Sequence, residues 1–274
     1  MDKNLQSVRV KNAHSISPSN EPNAQGILVL SMCLLYTISI INTNLSELCL
    51  LLIIKERSHM ADSYKERKVR NINYLNGAEL VGKEMYPRIH PTQALPKNMI
   101  SISEFLTRKD RSSFGVDHFS PDEHFERIYN NFDKYIPYYR EAKCVIGTDF
   151  SAYRNMSRFE RKYNIGRNRT IDYCFQMNNI DVIPVASFAY MEDFEWCLDG
   201  LPHNSSIAIS TNGSMTNLIS YDTFINGAIE LQKVLCPTHL VICGGPVPEL
   251  DELFKNIIYY KNYSQRLQER IHHG

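Results

Sequence analysis

Cys144-Val-Ile-Gly-Thr-Asp-Phe-Ser151, Asp181-Val-Ile-Pro-Val-Ala-Ser-Phe188, Ser206-Ile-Ala-Ile-Ser-Thr-Asn-Gly213 and His239-Leu-Val-Ile-Cys-Gly-Gly245 decide the fold class. Each is a short apolar run ending in small, polar or acidic residues. Helix-like segments separate them at roughly 30-residue intervals, the length of one βαβ unit. Short apolar runs alternating with helices are the pattern of a parallel sheet in an α/β protein. The expected architecture is sequential (βα) units around a parallel sheet of five or six strands, curled into a TIM-barrel-like or partial barrel. All the strand ends are polar, whereas a doubly wound sheet needs polar ends only near its switch point. An open doubly wound sheet is the alternative.

Working outward, Phe114-Gly-Val-Asp-His-Phe119 reads as an earlier strand. Ser120-Pro-Asp-Glu123 then predicts a helix start, with Ser as N-cap and Pro at the first helical position. Phe125, Ile128, Tyr129 and Phe132 recur at helical spacing and should face the core. Met99 to Phe105 fits either a first strand or the start of a helix. A helix is predicted from about Asn168 to Asn178, with residues 152–167 as a loop. A short helix is expected over Met191 to Leu198, a strong one over Ser220 to Leu235, and a last amphipathic one from Pro248 to about Ile271. Tyr86 to Pro96 holds three prolines and should be extended. This gives three parts: residues 1–59, a charged and Pro-rich lead-in at 60–98, and one α/β domain at 99–274.

Composition excludes more than it suggests. Thirty Lys and Arg balance thirty Asp and Glu, so nothing global marks a nucleic-acid or disordered protein. The seven cysteines form no C-x-x-C pair and no metal-ligand spacing. Cys144, Cys174, Cys236 and Cys243 lie in or beside apolar runs and read as buried, reduced thiols of a cytoplasmic protein.

Several motifs occur in a recognisable order: Val116-Asp-His-Phe119 with Asp122, Gly147-Thr-Asp-Phe-Ser151 with Tyr153, Arg167-Asn-Arg169, Val182-Ile-Pro184, Ala208-Ile-Ser-Thr211 with Gly213, Gly227 before an acidic residue within a few positions, and Pro237 before a strand ending in glycine. On these residues the chain resembles a bacterial, plasmid and phage family, the domain of unknown function numbered four-four-one-seven. The likeness covers about Lys83 to Gly245. Relatives often carry Trp where this chain has Phe188. The resemblance implies a mobile-element setting and no particular activity, so a cofactor is left open.

In α/β folds ligands bind at the carboxyl ends of the strands. Asp149, after Val-Ile-Gly-Thr, is the leading candidate for acid/base chemistry; the competing reading makes it a cap of its own turn. Asp117 and His118 fall on opposite faces of their strand, so one of them can face Asp149. His118 is a candidate base or a structural histidine. Ser151, Ser187, Ser210, Thr211 and Asn212 offer hydroxyl and amide groups for phosphate or sugar oxygens. Gly244 and Gly245 allow a close ligand approach or a tight turn. Arg154, Arg158, Arg161, Lys162, Arg167 and Arg169 crowd one segment interleaved with Tyr153, Phe159 and Tyr163. Arg167 and Arg169 are the candidate phosphate ligands. There is no G-x-S-x-G, P-loop or dinucleotide motif and no metal-ligand set. These features suggest an enzyme-like protein acting on a phosphate-bearing or nucleic-acid substrate, with a non-catalytic binding or accessory module as the rival. No strong signal points to a protein partner.

Residues 24–46 carry no charge, and Ile27 to Ile41 and Leu48 to Ile54 are apolar runs broken by Asn42-Thr43-Asn44. The first is short against the ~20 residues of a membrane span. A membrane location would depend on this segment, and a signal peptide would need a cleavage site that does not follow clearly. Lys55-Glu-Arg-Ser-His59 before Met60 has another reading: codons such as AAA-GAA-AGG-AGT-CAT contain a bacterial ribosome-binding site. Translation is then expected to begin at Met60, with residues 1–59 read in frame upstream. The gene sequence checks this. AGG-AGT at Arg57-Ser58 sustains the reading, and CGN-TCN codons there end it.

Overall fold

A computed structural model describes residues 69–273 of the protein. The apolar segment 27–54, the Met60 start and the charged stretch 60–68 lie outside the described residues. A 3-10 turn, Val69–Leu75, leads to an antiparallel hairpin of β1 (Leu80–Val81) and β2 (Tyr86–Pro87). The proline-rich stretch that follows is extended, as its three prolines require, but it is tied into the fold. Buried Ile89 donates its N–H to the Gly200 carbonyl (2.8 Å), and the Ser206 N–H donates to the Thr92 carbonyl (2.9 Å).

Seven parallel strands follow. They are β3 (Met99–Ser101), β4 (Gly115–Asp117), β5 (Cys144–Ile146), β6 (Val182–Ile183), β7 (Ser206–Ser210), β8 (His239–Cys243) and β9 (Ile257–Tyr260). They form a four-stranded sheet in the order β3-β4-β5-β6 and a three-stranded sheet in the order β7-β8-β9. One parallel bridge, Val185 to Ala208, joins the two. The protein is therefore a mixed α/β fold, but the expected single sheet of five or six strands is corrected to sheets of four and three. Among the described residues there is no closed barrel. The order never reverses within either sheet, so neither contains the switch point of a doubly wound fold.

Strand alternation sorts the side chains onto two faces. Ile100, Val116, Val145 and Val182 face α1 (Ile102–Thr107), α2 (Glu126–Asn130), α3 (Phe132–Tyr139) and α4 (Arg158–Met177). This core contains Phe105, Phe125, Phe132 and Phe175, each fully buried, and burying one such ring contributes about 2–3 kcal/mol. Ile207, Ile209, Leu240 and Ile242 face α5 (Leu218–Leu235), through Phe224, Ala228, Leu231 and Leu235. The opposite face is made by strands and the segments next to them. Met99, Cys144, Ile146, Ile183, Val185, Ala208, Val241 and Cys243 pack together there. The last helix, α6 (Tyr263–His273), follows β9.

Several expectations are corrected by local physics. Met99 to Phe105 is both strand and helix, because Ser101 ends β3 and its hydroxyl caps α1 at the Glu104 N–H. Ser120 does not cap a helix; Asp122–His124 is a 3-10 turn with Pro121 before it, and α2 starts at Glu126. Phe125, Ile128, Tyr129 and Phe132 are buried, as their spacing predicts. The basic segment is no loop from residue 158 on. It is the first half of α4, opened by a capping box in which Ser157 and Glu160 satisfy each other's backbone N–H. The expected helix from Pro248 is instead a 3-10 turn, strand β9 and then α6. Cys144, Cys174 and Cys243 are buried, whereas Cys236 is exposed in the left-handed position that ends α5.

The buried face of α4 is polar. Arg169 lies fully buried and donates to the carbonyls of Val185 (2.9 Å), Cys197 (2.9 Å) and Asp199 (3.2 Å). Asp172, one turn further on, packs against Gly147, where a Cβ would stand 2.3 Å from Asp172 Oδ1. Burial pushes the Asp172 carboxyl up to about 8, against the pull of Arg169 and of the Thr148 backbone. It is therefore protonated at neutral pH. Arg169→Met would strand three buried carbonyls, and is expected to cost about 3–5 kcal/mol. Arg169→Lys should recover only part of this, because an ammonium lacks the planar fork. Urea denaturation checks it; a midpoint unchanged in Arg169→Met would show that the guanidinium carries no such load.

Candidate functional site

A cavity of about 360 Å³ opens at the carboxyl ends of β5, β6 and β7. Asp149, Ser151, Ser187, Ser210 and Asn212 all line it, so the strand-end candidates from three strands converge. Tyr153, Arg154, Phe188 and Thr223 complete much of the wall, and Tyr263 and Ser264 of α6 contribute the rest of one side. Asp149 and Arg154 are the charged residues among the lining side chains.

Asp149 is held by its neighbours rather than by its own turn. The Phe150 N–H donates to Asn168 Oδ1 (2.8 Å), and Asn164 Nδ2 donates to the Ser151 carbonyl (2.6 Å). Asp122 accepts the Ser151 hydroxyl (2.8 Å) and backbone N–H (3.2 Å). The Phe150 ring is buried, with the Arg167 guanidinium 3.5 Å from its centroid. With both sides of the loop fixed, the Asp149 carboxylate points across the sheet junction and accepts the Ser187 hydroxyl at 2.5 Å. Burial raises its pKa to about 6; the Ser187 bond pulls it down and the Asp122 charge pushes it up. A carboxyl that titrates near pH 6 can exchange a proton under physiological conditions.

Arg154 faces the same space from the following loop. Its Nη1 donates to the Ala189 carbonyl (2.9 Å) and to Thr223 Oγ1 (3.3 Å), and its guanidinium lies 4.4 Å from the Tyr190 ring centroid. Among the described residues it has no ion pair with a carboxylate. The other basic residues of that segment are engaged. Arg158 pairs with Glu195, Arg161 with Asp193, Lys162 with Glu84 and Arg167 with Glu126. Arg169 is spent on the three carbonyls already described. Arg167 and Arg169 are thus outside the cavity wall.

His118 is also outside it. It sits fully buried on the helix-covered face, between Ile146 O (2.8 Å from Nδ1) and the Tyr139 hydroxyl (2.7 Å from Nε2). Burial lowers its pKa to about 4, so it is neutral at physiological pH. The neutral ring can then donate from Nδ1 and accept at Nε2. Asp117, on the opposite side of β4, is the one of the pair that faces Asp149's side of the sheet; its Oδ2 accepts from Arg266 Nη2 at 2.8 Å. Thr211, Gly244 and Gly245 do not line the cavity. Gly244 takes φ +144° and lies so close to Thr211 that no Cβ fits. Gly227 likewise admits the Phe188 ring, which a Cβ would meet at 2.2 Å. Among the described residues no group of three or more His, Cys, Asp or Glu could hold a metal ion.

Among the wall residues that the sequence leaves unassigned, Ser214, Ser220 and Thr223 lie at or near the start of α5, and Tyr263 and Ser264 lie inside an expected continuous helix. The Pro248 turn and the β-branched Ile257-Ile258 pair were the available signal for a strand before them. Arg154 is the member of the basic group that reaches the cavity.

Residues 78–261 match the family described as "Domain of unknown function (DUF4417)". The chain belongs to this family. Relatives include two proteins named "Gene 1 protein". One, from Mycobacterium phage D29, is 26% identical over 188 residues, spanning 68% of this chain and 69% of its own. The other, from Mycobacterium phage L5, is 26% identical over 192 residues, spanning 68% and 82%. No solved structure matches. The protein is thus a phage-related member of the DUF4417 family, and the matched span contains every cavity-lining residue except Tyr263 and Ser264. Among the described residues no helix is long and apolar enough to cross a membrane.

The raised Asp149 pKa has a stability consequence. Between about pH 4 and pH 6 the folded protein holds this proton while the unfolded chain releases it, so folding weakens as pH rises through that window. Asp149→Asn removes the effect. The variant is expected to match the wild type at pH 4 and to exceed it above pH 6.5 by up to about 2 kcal/mol, allowing for partial exposure. Melting temperatures measured across pH 4–8 check this, and parallel curves for the two proteins would refute it.

Proposed function

We propose that the cavity is the active site of an acid/base enzyme whose substrate is a small phosphorylated polyhydroxy compound, such as a sugar phosphate or mononucleotide. The observation that carries this is the meeting of Asp149, near-neutral in pKa, with Arg154 in one cavity rich in hydroxyls. Asp149 takes or gives the proton. Arg154, already braced by Ala189, Thr223 and Tyr190, offers its remaining N–H groups to the phosphate. Ser187, Ser210 and Asn212 orient the polyol. A cavity of about 360 Å³ suits a ligand of this size, since small-molecule pockets begin near 300 Å³.

An incomplete barrel accounts for the position of the site. Strands from both sheets share one packed face, and Tyr260 of β9 donates its hydroxyl to the Pro96 carbonyl just ahead of β3. Cys144, Cys174, Cys197 and Cys243, buried as free thiols, support a reducing, cytoplasmic setting. A nucleic-acid surface built on the basic segment has weaker support, because most of its charges are paired within the fold.

Calorimetric titration with ribose 5-phosphate tests the proposal. Saturable binding is expected, weakened at least tenfold in Arg154→Ala, the loss of a charge-assisted contact of about 1.5–3 kcal/mol. Asp149→Asn should bind within about threefold of the wild type while losing any conversion detected by mass spectrometry. Absence of binding by sugar phosphates and mononucleotides alike, or an unaltered Arg154→Ala, would overturn the assignment. Retained conversion in Asp149→Asn would remove Asp149 from the chemistry, and binding without conversion in the wild type would leave a binding module.

A further inference from the structure

The helix α6 has an unusual footing. It begins two residues beyond the span that matches the family, yet Tyr263 and Ser264 form part of the cavity wall. Its apolar residues Leu267 and Ile271 are exposed, so little hydrophobic burial holds it down. Its own first turn is closed by Asn262 and Gln265, each accepting the other's backbone N–H through its side chain. The Lys261–Glu269 pair also stays within the segment.

Among the described residues, two hydrogen bonds leave this segment for the strand ends. Asn262 Nδ2 donates to Asn212 Oδ1 (2.9 Å), a residue of the cavity wall. Arg266 Nη2 donates to Asp117 Oδ2 (2.8 Å). The second is the firmer anchor. Asp117 is almost completely inaccessible and the Arg266 side chain is 13% exposed, so the pair is shielded from water and salt. Removing either partner leaves the other's charge poorly solvated. A ring contact between Tyr263 and His124 (6.3 Å between centroids) adds a lighter tie. The wall made by α6 is therefore fastened chiefly at one buried point, with exposed surface along much of its length.

We propose that α6 is a lid over the cavity, latched by the Asp117–Arg266 ion pair, and that its release governs entry and exit of the ligand. The proposal rests on the reading of the cavity as a ligand site. The chain turn at Asn262 and the single charged pair at Arg266 both hold the first turn of the helix, where Tyr263 and Ser264 line the cavity, so loss of that pair lets this turn lift without disturbing either hydrophobic core. Cys243 is buried on the shared strand face and pairs with Tyr260 at the end of β9, three residues before α6 begins. It therefore reports on lid opening without any ligand.

The test uses the full chain with Arg266→Ala and, as a milder variant, Asp117→Asn. Alkylation at each cysteine is followed by mass spectrometry, and ribose 5-phosphate dissociation by stopped flow. Labelling of Cys243 is expected to rise at least tenfold in both variants while Cys144, Cys174 and Cys197 stay protected. Ribose 5-phosphate should dissociate at least fivefold faster. Unchanged Cys243 labelling overturns the latch, and so does equal labelling of all four buried cysteines, which marks general unfolding. Faster labelling with an unchanged dissociation rate overturns the lid. If the wild type binds no sugar phosphate, the active-site reading fails, and the labelling result still decides whether the latch exists.

Discussion

The two sheets meet at one residue pair, and a buried guanidinium holds that meeting in place. Val185 and Ala208 form the bridge, backed by the Ala186 N–H to Ala208 carbonyl and Ala208 N–H to Pro184 carbonyl bonds, each 2.9 Å. Arg169 reaches from α4 to the Val185 carbonyl and, with its remaining donors, to Cys197 and Asp199 in the connection toward β7. One side chain thus links the helix of the first sheet, the junction strand and the segment leading into the second sheet. An ammonium could not serve three carbonyls in different directions from one planar group. The cavity opens two residues past this junction on each side, at Ser187 and Ser210. Its shape follows from the angle at which the sheets are fixed.

The same helix fixes the cavity's chemistry. A helix covering a sheet ordinarily presents an apolar stripe, but α4 presents Arg161, Asn164, Arg167, Asn168, Arg169 and Asp172 among its buried residues. All but Asp172, whose two carboxyl oxygens are buried without a hydrogen-bond partner among the described residues, have a specific neighbour. Arg161 pairs with buried Asp193, Asn164 and Asn168 pin the loop that carries Asp149, and Arg167 lies on Phe150. Asp172 is kept neutral by burial. Half-satisfied polar networks inside a protein cost more than an apolar core. This one is retained because it positions a strand-end loop that apolar contacts alone would leave free to slide.

That polarity also explains what could be read from the sequence. The apolar runs at 144, 181, 206 and 239 were legible as strands because both faces of a parallel sheet are covered and the runs stay hydrophobic throughout. Phe125, Ile128, Tyr129 and Phe132 were legible by their spacing. The first half of α4 was not, because its buried face is charged and its helical period is masked; the Ser157-x-x-Glu160 capping box was the surviving signal. β9 was hidden for the opposite reason. Ile257 to Tyr260 is half-buried and lies between two turns, so it merges with the amphipathic pattern of α6. Within the site, Asp149, Ser151, Ser187, Ser210 and Asn212 were legible from strand-end position alone. Arg167 and Arg169, expected at the site, are engaged within the fold instead, because charge near a strand end does not reveal which charges the fold consumes internally. His118 shows the same limit: one step along β4 turns it from the cavity's side to the helix-covered face.

The division of labour between the two faces of the strands bears on how such a site can change. The helix-covered cores, one over each sheet, hold most of the large buried side chains and need nothing from the strand ends. The shared strand face carries Cys, Ala, Val and Ile together with Met99 and Phe119, and Phe119 reaches from it into the cavity wall. Substitution at the rim therefore reshapes the cavity at little cost to folding, provided the junction at Val185 and the pinned loop at Asp149 are kept. Phe188 illustrates this, since its ring reaches into the cavity wall over Gly227 and a Cβ there would collide with it. A bulkier ring at 188 would need the same glycine, so the pair sets the cavity's depth on that side. The wall on the other side comes from α6, outside the matched family span. The cavity's width is thus set jointly by residues inside the matched family span and by residues outside it.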